Sequence, residues 1–345
     1  MTGSNPSLET WAVVGIKDDT GPGRVSVNVM QLLFPARQLV TASYRMEGYP
    51  LGERDWWIPN DAGDERIQQA LSGLEVLIVL DDQAIHHRIV RAAKDRGIRV
   101  HSLALWEWFL PHDPIWKLYN KIICTNRFCQ LVIRKFGFDN TILLALPIDV
   151  TRLPERVISG PAKTFVHNAG KFEAEDRKST LLTIEAFHQV RNQDVSFIVR
   201  SQIPLPHCIE DPRIRYFIGN LADYRDLYRE GEVFVQASKA EGNGLSILEA
   251  MACGLPVLTT NYPPMNEYTS DSRMLVRTRW GKKPAWQTRY IPQAHLKIPR
   301  IDSLVRRMEW CAKNDVAPFS RRNRKWALQN FDPDRLRTQW IQALG

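Results

Sequence analysis

Short apolar runs alternate with stretches of helical periodicity along most of this 345-residue chain, and they do so in two series. In the first series, residues 11–16, 75–80, 98–103 and 143–146 read as strands, the last closed by Pro147. Between two of them Ile85, Ile89, Ala92 and Ala93 recur at helical spacing over 83–96, and Gly97 follows as a stop. This β-α-β rhythm implies a parallel sheet covered on both faces. It restarts after residue 160, with strands expected at 164–167, 195–199, 214–218, 233–235 and 256–259, and helices at 180–191, 222–230 and 245–253. Residues 149–162 hold two prolines and a glycine and have no periodicity. The expected organisation is α/β: two Rossmann-like domains over 1–150 and 163–330, a linker at 151–162, and a final helix within 331–345. Asp332 caps that helix and Pro333 opens it.

Composition narrows the class. With 44% hydrophobic and 24% charged residues the chain lies outside the regime of disorder. No apolar run approaches the ~20 residues that span a bilayer. The first ten residues have neither a basic segment nor an apolar one, so no secretory signal is expected and the location is taken as cytoplasmic. Five cysteines, an odd number thinly spread, argue against a disulfide framework. Cys124 and Cys129 make half a zinc site at most and read as structural.

Charge is unevenly placed. Residues 271–345 hold 17 Lys and Arg against 6 Asp and Glu, whereas the two preceding segments, 1–150 and 151–270, are close to neutral. Such asymmetry suits an anionic partner, either nucleic acid, a membrane surface or a phosphorylated ligand, or else a solvated basic face. Within it, 279–298 mixes Trp280, Trp286 and Tyr290 with Arg279, Lys282, Lys283 and Arg289, and reads as a long loop. Aromatics for stacking beside cations for phosphate are a nucleic-acid pattern.

Chemistry concentrates at 239–260. A strand gives way to the turn Gly242-Asn243-Gly244, and a helix starts at Leu245 and is stopped by Gly254. A turn of this kind exposes backbone N–H groups at the positive end of the helix dipole, ready for phosphate. The helix is apolar almost all round, so Glu249 is a carboxylate in a buried position that needs partners, and the hydroxyl pair of a ribose would suit it. Glu241 stands just before the turn.

This stretch, including Glu249-Ala-Met-Ala-Cys-Gly-Leu-Pro-Val257, resembles the E-x7-E region of retaining glycosyltransferases of family 4. The resemblance covers about 160–270 and implies the GT-B fold, two Rossmann-like domains whose parallel sheets face each other across a cleft. It implies that Glu241 lies near the donor sugar and that Glu249 binds the ribose of a nucleotide-diphosphate sugar, with Asn243, Gly244 and Leu245 at the phosphate. It places Lys178 on the donor diphosphate, with Lys171 (where the family has Arg) and Arg177 as further cations. Asp18–Arg24, with Gly21 and Gly23, resembles the glycine-rich loop of the first domain, although Ser26 stands where a dinucleotide motif needs its third glycine. His101, expected at the C-terminal end of its strand, resembles the histidine that contacts donor sugar or acceptor. Trp106 and Trp108 are candidates for an aromatic wall of the acceptor site.

A retaining hexosyltransferase is therefore expected, with a UDP-glucose-like donor, no cofactor and no metal. Asp332-Pro333-Asp334 is a D-x-D, but it sits in a helix cap. For the acceptor, a hydroxymethylated pyrimidine in phage-type DNA is slightly preferred over polysaccharide, lipopolysaccharide or glycolipid. A non-catalytic sugar-nucleotide module and a GT-B epimerase are the other readings.

Overall fold

The computed structural model describes residues 8–18, 20–41, 51–80, 84–171, 176–269, 271–282 and 295–345. Trp286, Tyr290, Lys283 and Arg289 lie outside these residues, as do Glu173 and Glu175. The chain divides into two units, one formed by Met1–Ile148 with Phe331–Gly345, the other by Asp149–Asn330.

The first unit contains β1 (Trp11–Gly15), α1 (Gly21–Leu33), β2 (Arg37–Thr41), β3 (Asp55–Ile58), α2 (Asp64–Ala70), β4 (Val76–Leu80), α3 (Ala84–Asp95), β5 (Arg99–Ala104), β6 (Lys121–Cys124), α4 (Arg127–Arg134) and β7 (Thr141–Leu143). Its strands form one parallel sheet in the order β3-β2-β1-β4-β5-β6-β7. β1 and β4 are buried at every residue, as strands covered on both faces must be. β2, β3 and β6 carry no strong sequence signal because each is short, and β3 is an edge strand whose Trp56 and Trp57 are half-buried. β7 starts two residues before the expected run at 143–146.

The second unit contains β8 (Thr164–Gly170), α5 (Thr180–His188), β9 (Ser196–Ser201), β10 (Ile214–Ile218), β11 (Val233–Gln236), α6 (Leu245–Ala252), β12 (Val257–Thr260), α7 (Met265–Tyr268), β13 (Leu275–Val276), β14 (Thr278–Trp280), β15 (Lys297–Pro299), α8 (Ile301–Lys313) and α9 (Ala317–Asn330). Its main sheet is parallel, ordered β10-β9-β8-β11-β12-β13. The expected helix at 222–230 is a single tight turn, Tyr224–Tyr228, capped by Asp223. The ends of the expected loop at 279–298 pair as an antiparallel ribbon, β14 with β15. The final helix, α10 (Pro333–Leu344), packs on α1 in the first unit, with Asp332 accepting from the Arg335 amide at 2.8 Å.

Two expectations about the first unit are corrected. The Gly21-Pro22-Gly23 segment is not a loop but the first turn of α1, because Thr20 caps it through its side chain at the Gly23 amide and Pro22 fits the opening turn. Gly23 is required there for space: a Cβ would lie 2.1 Å from Asp18 Oδ1 and 2.5 Å from the Asp18 carbonyl. Gly23→Ala should therefore destabilise the first unit by about 1–3 kcal/mol, read as a lower urea midpoint for that unit; an unshifted midpoint would contradict the packing. His101 is the third residue of β5, paired with Ile78 and Lys121, and not at its C-terminal end. The strand runs on to Ala104, and the buried His101 ring donates from Nε2 to the Leu344 carbonyl of α10 at 3.1 Å.

His101 and His167 give the chain an acid sensitivity. Burial lowers each imidazole from 6.5 to about 4, with the carbonyls of Leu344 and Val235 opposing that shift. Each histidine is thus neutral when folded and more basic when unfolded. Stability is fully present above the unfolded value and falls as pH drops through the window from 6.5 to about 4. The loss reaches about 3 kcal/mol per histidine at the acid end. Urea unfolding of the wild type against His167→Gln from pH 7 to 4.5 should show a shallower decline in the variant.

Candidate functional site

In both sheets the strand order reverses once, between β1 and β4 and between β8 and β11. Loops leaving the C-terminal ends of strands diverge at such a reversal and leave room for a ligand. In the second unit the loops after β8 and β11 carry the residues singled out from sequence.

The β8 side is built first by His167 at the reversal. Its Nδ1 donates to the Val235 carbonyl in β11 at 2.8 Å, so Nε2 accepts from the Thr180 hydroxyl at the start of α5, at 2.9 Å. Asp176 is buried. Its two oxygens accept from the amides of Thr180 and Leu181 at 2.7 and 3.0 Å, capping α5. Burial raises its carboxyl, and those amides offset part of the shift. Asp176 and Ser179 both take left-handed backbone angles, φ 44° and 57°, a conformation that non-glycine residues hold only when their surroundings enforce it. Lys178 is held between them. Its Nζ donates to the Asn168 carbonyl at 3.2 Å, and a Cβ on Gly170, at φ 60°, would sit 3.0 Å from that Nζ. Glycine at 170 thus lets the ammonium lie against the end of β8. Lys171 is exposed.

The β11 side meets it through Glu241. One oxygen accepts from the Ser238 hydroxyl at 2.6 Å, and Ser238 accepts in turn from the Gln236 amide at 3.0 Å. The other oxygen accepts from Arg177 Nη1 at 2.8 Å, and the same nitrogen donates to the Ala240 carbonyl at 3.1 Å. The Lys239 amide donates to the Arg177 carbonyl at 2.7 Å, stitching the two loops together. Burial alone would raise the Glu241 carboxyl; the charges of Arg177 and Lys178 with the hydrogen bonds from Ser238 and Arg177 outweigh it and hold the group below its ordinary value. Arg177 thus grips Glu241, in addition to any contact it makes with a ligand.

The turn that follows is set by Gly244 at φ 66°, whose carbonyl accepts from the amides of Ile247 and Leu248 as α6 begins at Leu245. Asn243 is buried, and its carbonyl accepts from the Tyr268 hydroxyl at 2.6 Å. α6 buries Ile247, Leu248, Ala250, Met251 and Ala252. Glu249 is buried with them at 4% exposure, and its Oε2 accepts from the Tyr228 hydroxyl at 2.5 Å.

The structure therefore brings Arg177, Lys178 and Glu241 together at the reversal, with Asn243, Gly244 and Leu245 opening the next helix and Glu249 in its second turn. Gly21, Gly23 and His101 belong to the first unit. Ser238, Asp176 and Tyr228 were missed. Asp176, four residues before Thr180, was a readable helix-start signal, whereas nothing in the sequence separates Tyr228 from a core aromatic.

Known proteins place this architecture. In a structure of Anabaena Alr3699/HepE in complex with UDP and glucose, similarity covers 97% of this chain and 99% of that one, with a TM-score of 0.69 at 13% identity. For the lipopolysaccharide outer core galactosyltransferase WaaB the figures are 96% and 98%, 0.63 and 12%. The fold is GT-B. Residues 163–282 of this GT-B chain match the family Glycosyl transferases group 1. A curated relative, the lipopolysaccharide core biosynthesis mannosyltransferase LpsB of Rhizobium meliloti (strain 1021), is 28% identical over 135 residues. That match spans 35% of this chain and 38% of the relative's length.

Proposed function

We propose that the chain is a retaining glycosyltransferase of family 4 type that moves a hexose from a nucleotide-diphosphate sugar, UDP-glucose-like, to a hydroxyl of a saccharide or glycolipid acceptor, without a metal. The observation that carries this reading is the Lys178–Arg177–Glu241 cluster at the strand reversal, inside the stretch that matches the group 1 family. The bound UDP and glucose in the HepE structure agree with the donor.

In this reading Glu241 and Glu249 are the two acids of the E-x7-E pattern. Glu249 takes the ribose hydroxyls. Lys178, with the exposed Lys171 as a further cation and the amides of Asn243, Gly244 and Leu245, neutralises the diphosphate. Positive charge already in place at the leaving group is where electrostatic catalysis is most effective. The bond from the anomeric carbon to the phosphate oxygen breaks, the acceptor oxygen bonds to that carbon on the same face, and the acceptor proton passes to the departing phosphate. Glu241, kept ionised by Arg177 and Lys178, orients the donor sugar. His101 has no catalytic part, being buried and given to the Leu344 carbonyl. Gly21 and Gly23 serve the entry of α1.

The names of the LpsB and WaaB relatives support a lipopolysaccharide-type acceptor. The DNA reading rests on the charge of 271–345. Five of those 17 cations pair with acids of the same stretch: Arg273 and Arg322 with Asp271, Arg300 and Arg306 with Asp302, and Lys313 with Glu309. Arg335 and Arg337 belong to the first unit. The saccharide acceptor is therefore preferred. Among the described residues no helix is long and apolar enough to cross a membrane.

The test offers UDP-, GDP- and ADP-hexoses with lipopolysaccharide core, glycolipid and polysaccharide acceptors and with hydroxymethylated duplex DNA, and reads the products by mass. Gain of one hexose on a saccharide or lipid acceptor is the expected result. A glycosylated base would reverse the acceptor assignment. Tight nucleotide binding with no turnover of any donor would favour the non-catalytic module, and a changed sugar released without acceptor would favour an epimerase.

A further inference from the structure

We propose that Tyr228 is the positioning residue for Glu249, fixing the carboxylate that grips the ribose; this rests on the reading of Glu249 given above. Glu249 sits in a helix whose neighbours are apolar, where a carboxylate rotates and desolvates at a penalty unless a donor holds it. Tyr228 supplies that donor at 2.5 Å, the short range of a hydrogen bond to an ionised group.

The tyrosine is itself held rigid. Its side chain is fully buried, its ring packs at 5.8 Å from that of Phe234 in β11, and its carbonyl accepts from Arg156 Nη1 at 3.0 Å. It ends the turn that follows β10, so the loop after one strand sets the acid on the helix that follows another. A hydroxyl aimed by packing and by backbone defines how the carboxylate is turned before a ligand arrives. Nothing in this arrangement asks Tyr228 to touch the ligand; it acts through Glu249. The consequence is selectivity: a carboxylate turned by the Tyr228 hydroxyl discriminates a ribose diol from a 2′-deoxyribose better than one that lacks this donor.

The experiment measures, by calorimetry, affinities for UDP and 2′-deoxy-UDP and for GDP and 2′-deoxy-GDP. The proteins are the wild type, Tyr228→Phe, Glu249→Gln, the double variant, and Phe234→Leu as a control that loosens the same ring without touching the hydroxyl. The wild type should prefer the ribose form of its nucleotide by roughly tenfold, the size of one hydrogen bond to a charged group. Tyr228→Phe should bring that preference to about twofold, and the double variant should lose no more than Glu249→Gln alone. Phe234→Leu should leave the preference intact. A preference lost in Glu249→Gln but kept in Tyr228→Phe overturns the role of Tyr228 and leaves the ribose assignment standing. A preference that Phe234→Leu abolishes as fully as Tyr228→Phe assigns the effect to packing and also overturns it. A preference untouched by Glu249→Gln, or no ribonucleoside diphosphate bound by the wild type, removes the ribose assignment itself and this inference with it.

Discussion

Replacing Lys178 with alanine is expected to lower kcat by about 10²–10³-fold, the range seen when one preorganised group is removed from a developing negative charge. The ammonium is anchored on the Asn168 carbonyl and lies over Gly170, in a loop bracketed by two left-handed residues. It is therefore in place before a donor binds. The loss should appear in kcat more than in KM, because charge at the leaving oxygens grows as the anomeric bond breaks. Lys178→Arg should recover only part of the rate, since a planar fork does not fit a position shaped for a compact point charge. Transfer rates measured with saturating donor decide the matter, and a wild-type kcat in Lys178→Ala would remove this residue from the reaction.

Glu249→Ala carries the second large effect. It should weaken nucleotide binding by roughly 10–100-fold, the equivalent of losing hydrogen bonds to a buried charged group. It also takes away the acceptor of the Tyr228 hydroxyl, a group buried at 0% exposure, so some loss of stability accompanies it. Glu249→Gln keeps an acceptor there and separates the two effects: affinity should still fall while the melting temperature stays near that of the wild type. Calorimetric titration with nucleoside diphosphate beside thermal melting reads both quantities. Unchanged affinity in both variants would place the ribose elsewhere.

Much of this architecture could be read from sequence because it rests on local signals. Buried parallel strands are continuous apolar runs, so β1, β4, β5 and β8 to β12 declared themselves, whereas the two-residue β13 did not, and Gly97, Gly254 and Asp332 marked helix ends correctly. Strands of four or five residues with polar edges, such as β2 and β3, carry too little periodicity to register. The ribbon at β14 and β15 depends on pairing across a long separation in sequence. For the candidate site, the residue types and spacing that propose Lys178, Glu241 and Glu249 are present in the sequence. Their partners are not legible there: that Arg177 would hold Glu241, that Asp176 would cap α5, or that Tyr228 would reach Glu249 are facts of three-dimensional proximity. His101 shows the converse. Its position near the end of an apolar run suggested an edge, but the strand continues, and a helix more than two hundred residues further on supplies its partner.

That return of the last residues has a consequence for dissecting the molecule. Residues 149–330 form one uninterrupted segment, so cutting at its two ends is expected to release a body that folds by itself. The remainder cannot be obtained by simple truncation. A fragment ending at Ile148 lacks α10, and with it the Trp340 side chain that is fully buried and donates to the Ala145 carbonyl at 3.2 Å. A spliced version that joins residue 148 to residue 331 would carry both pieces of that core.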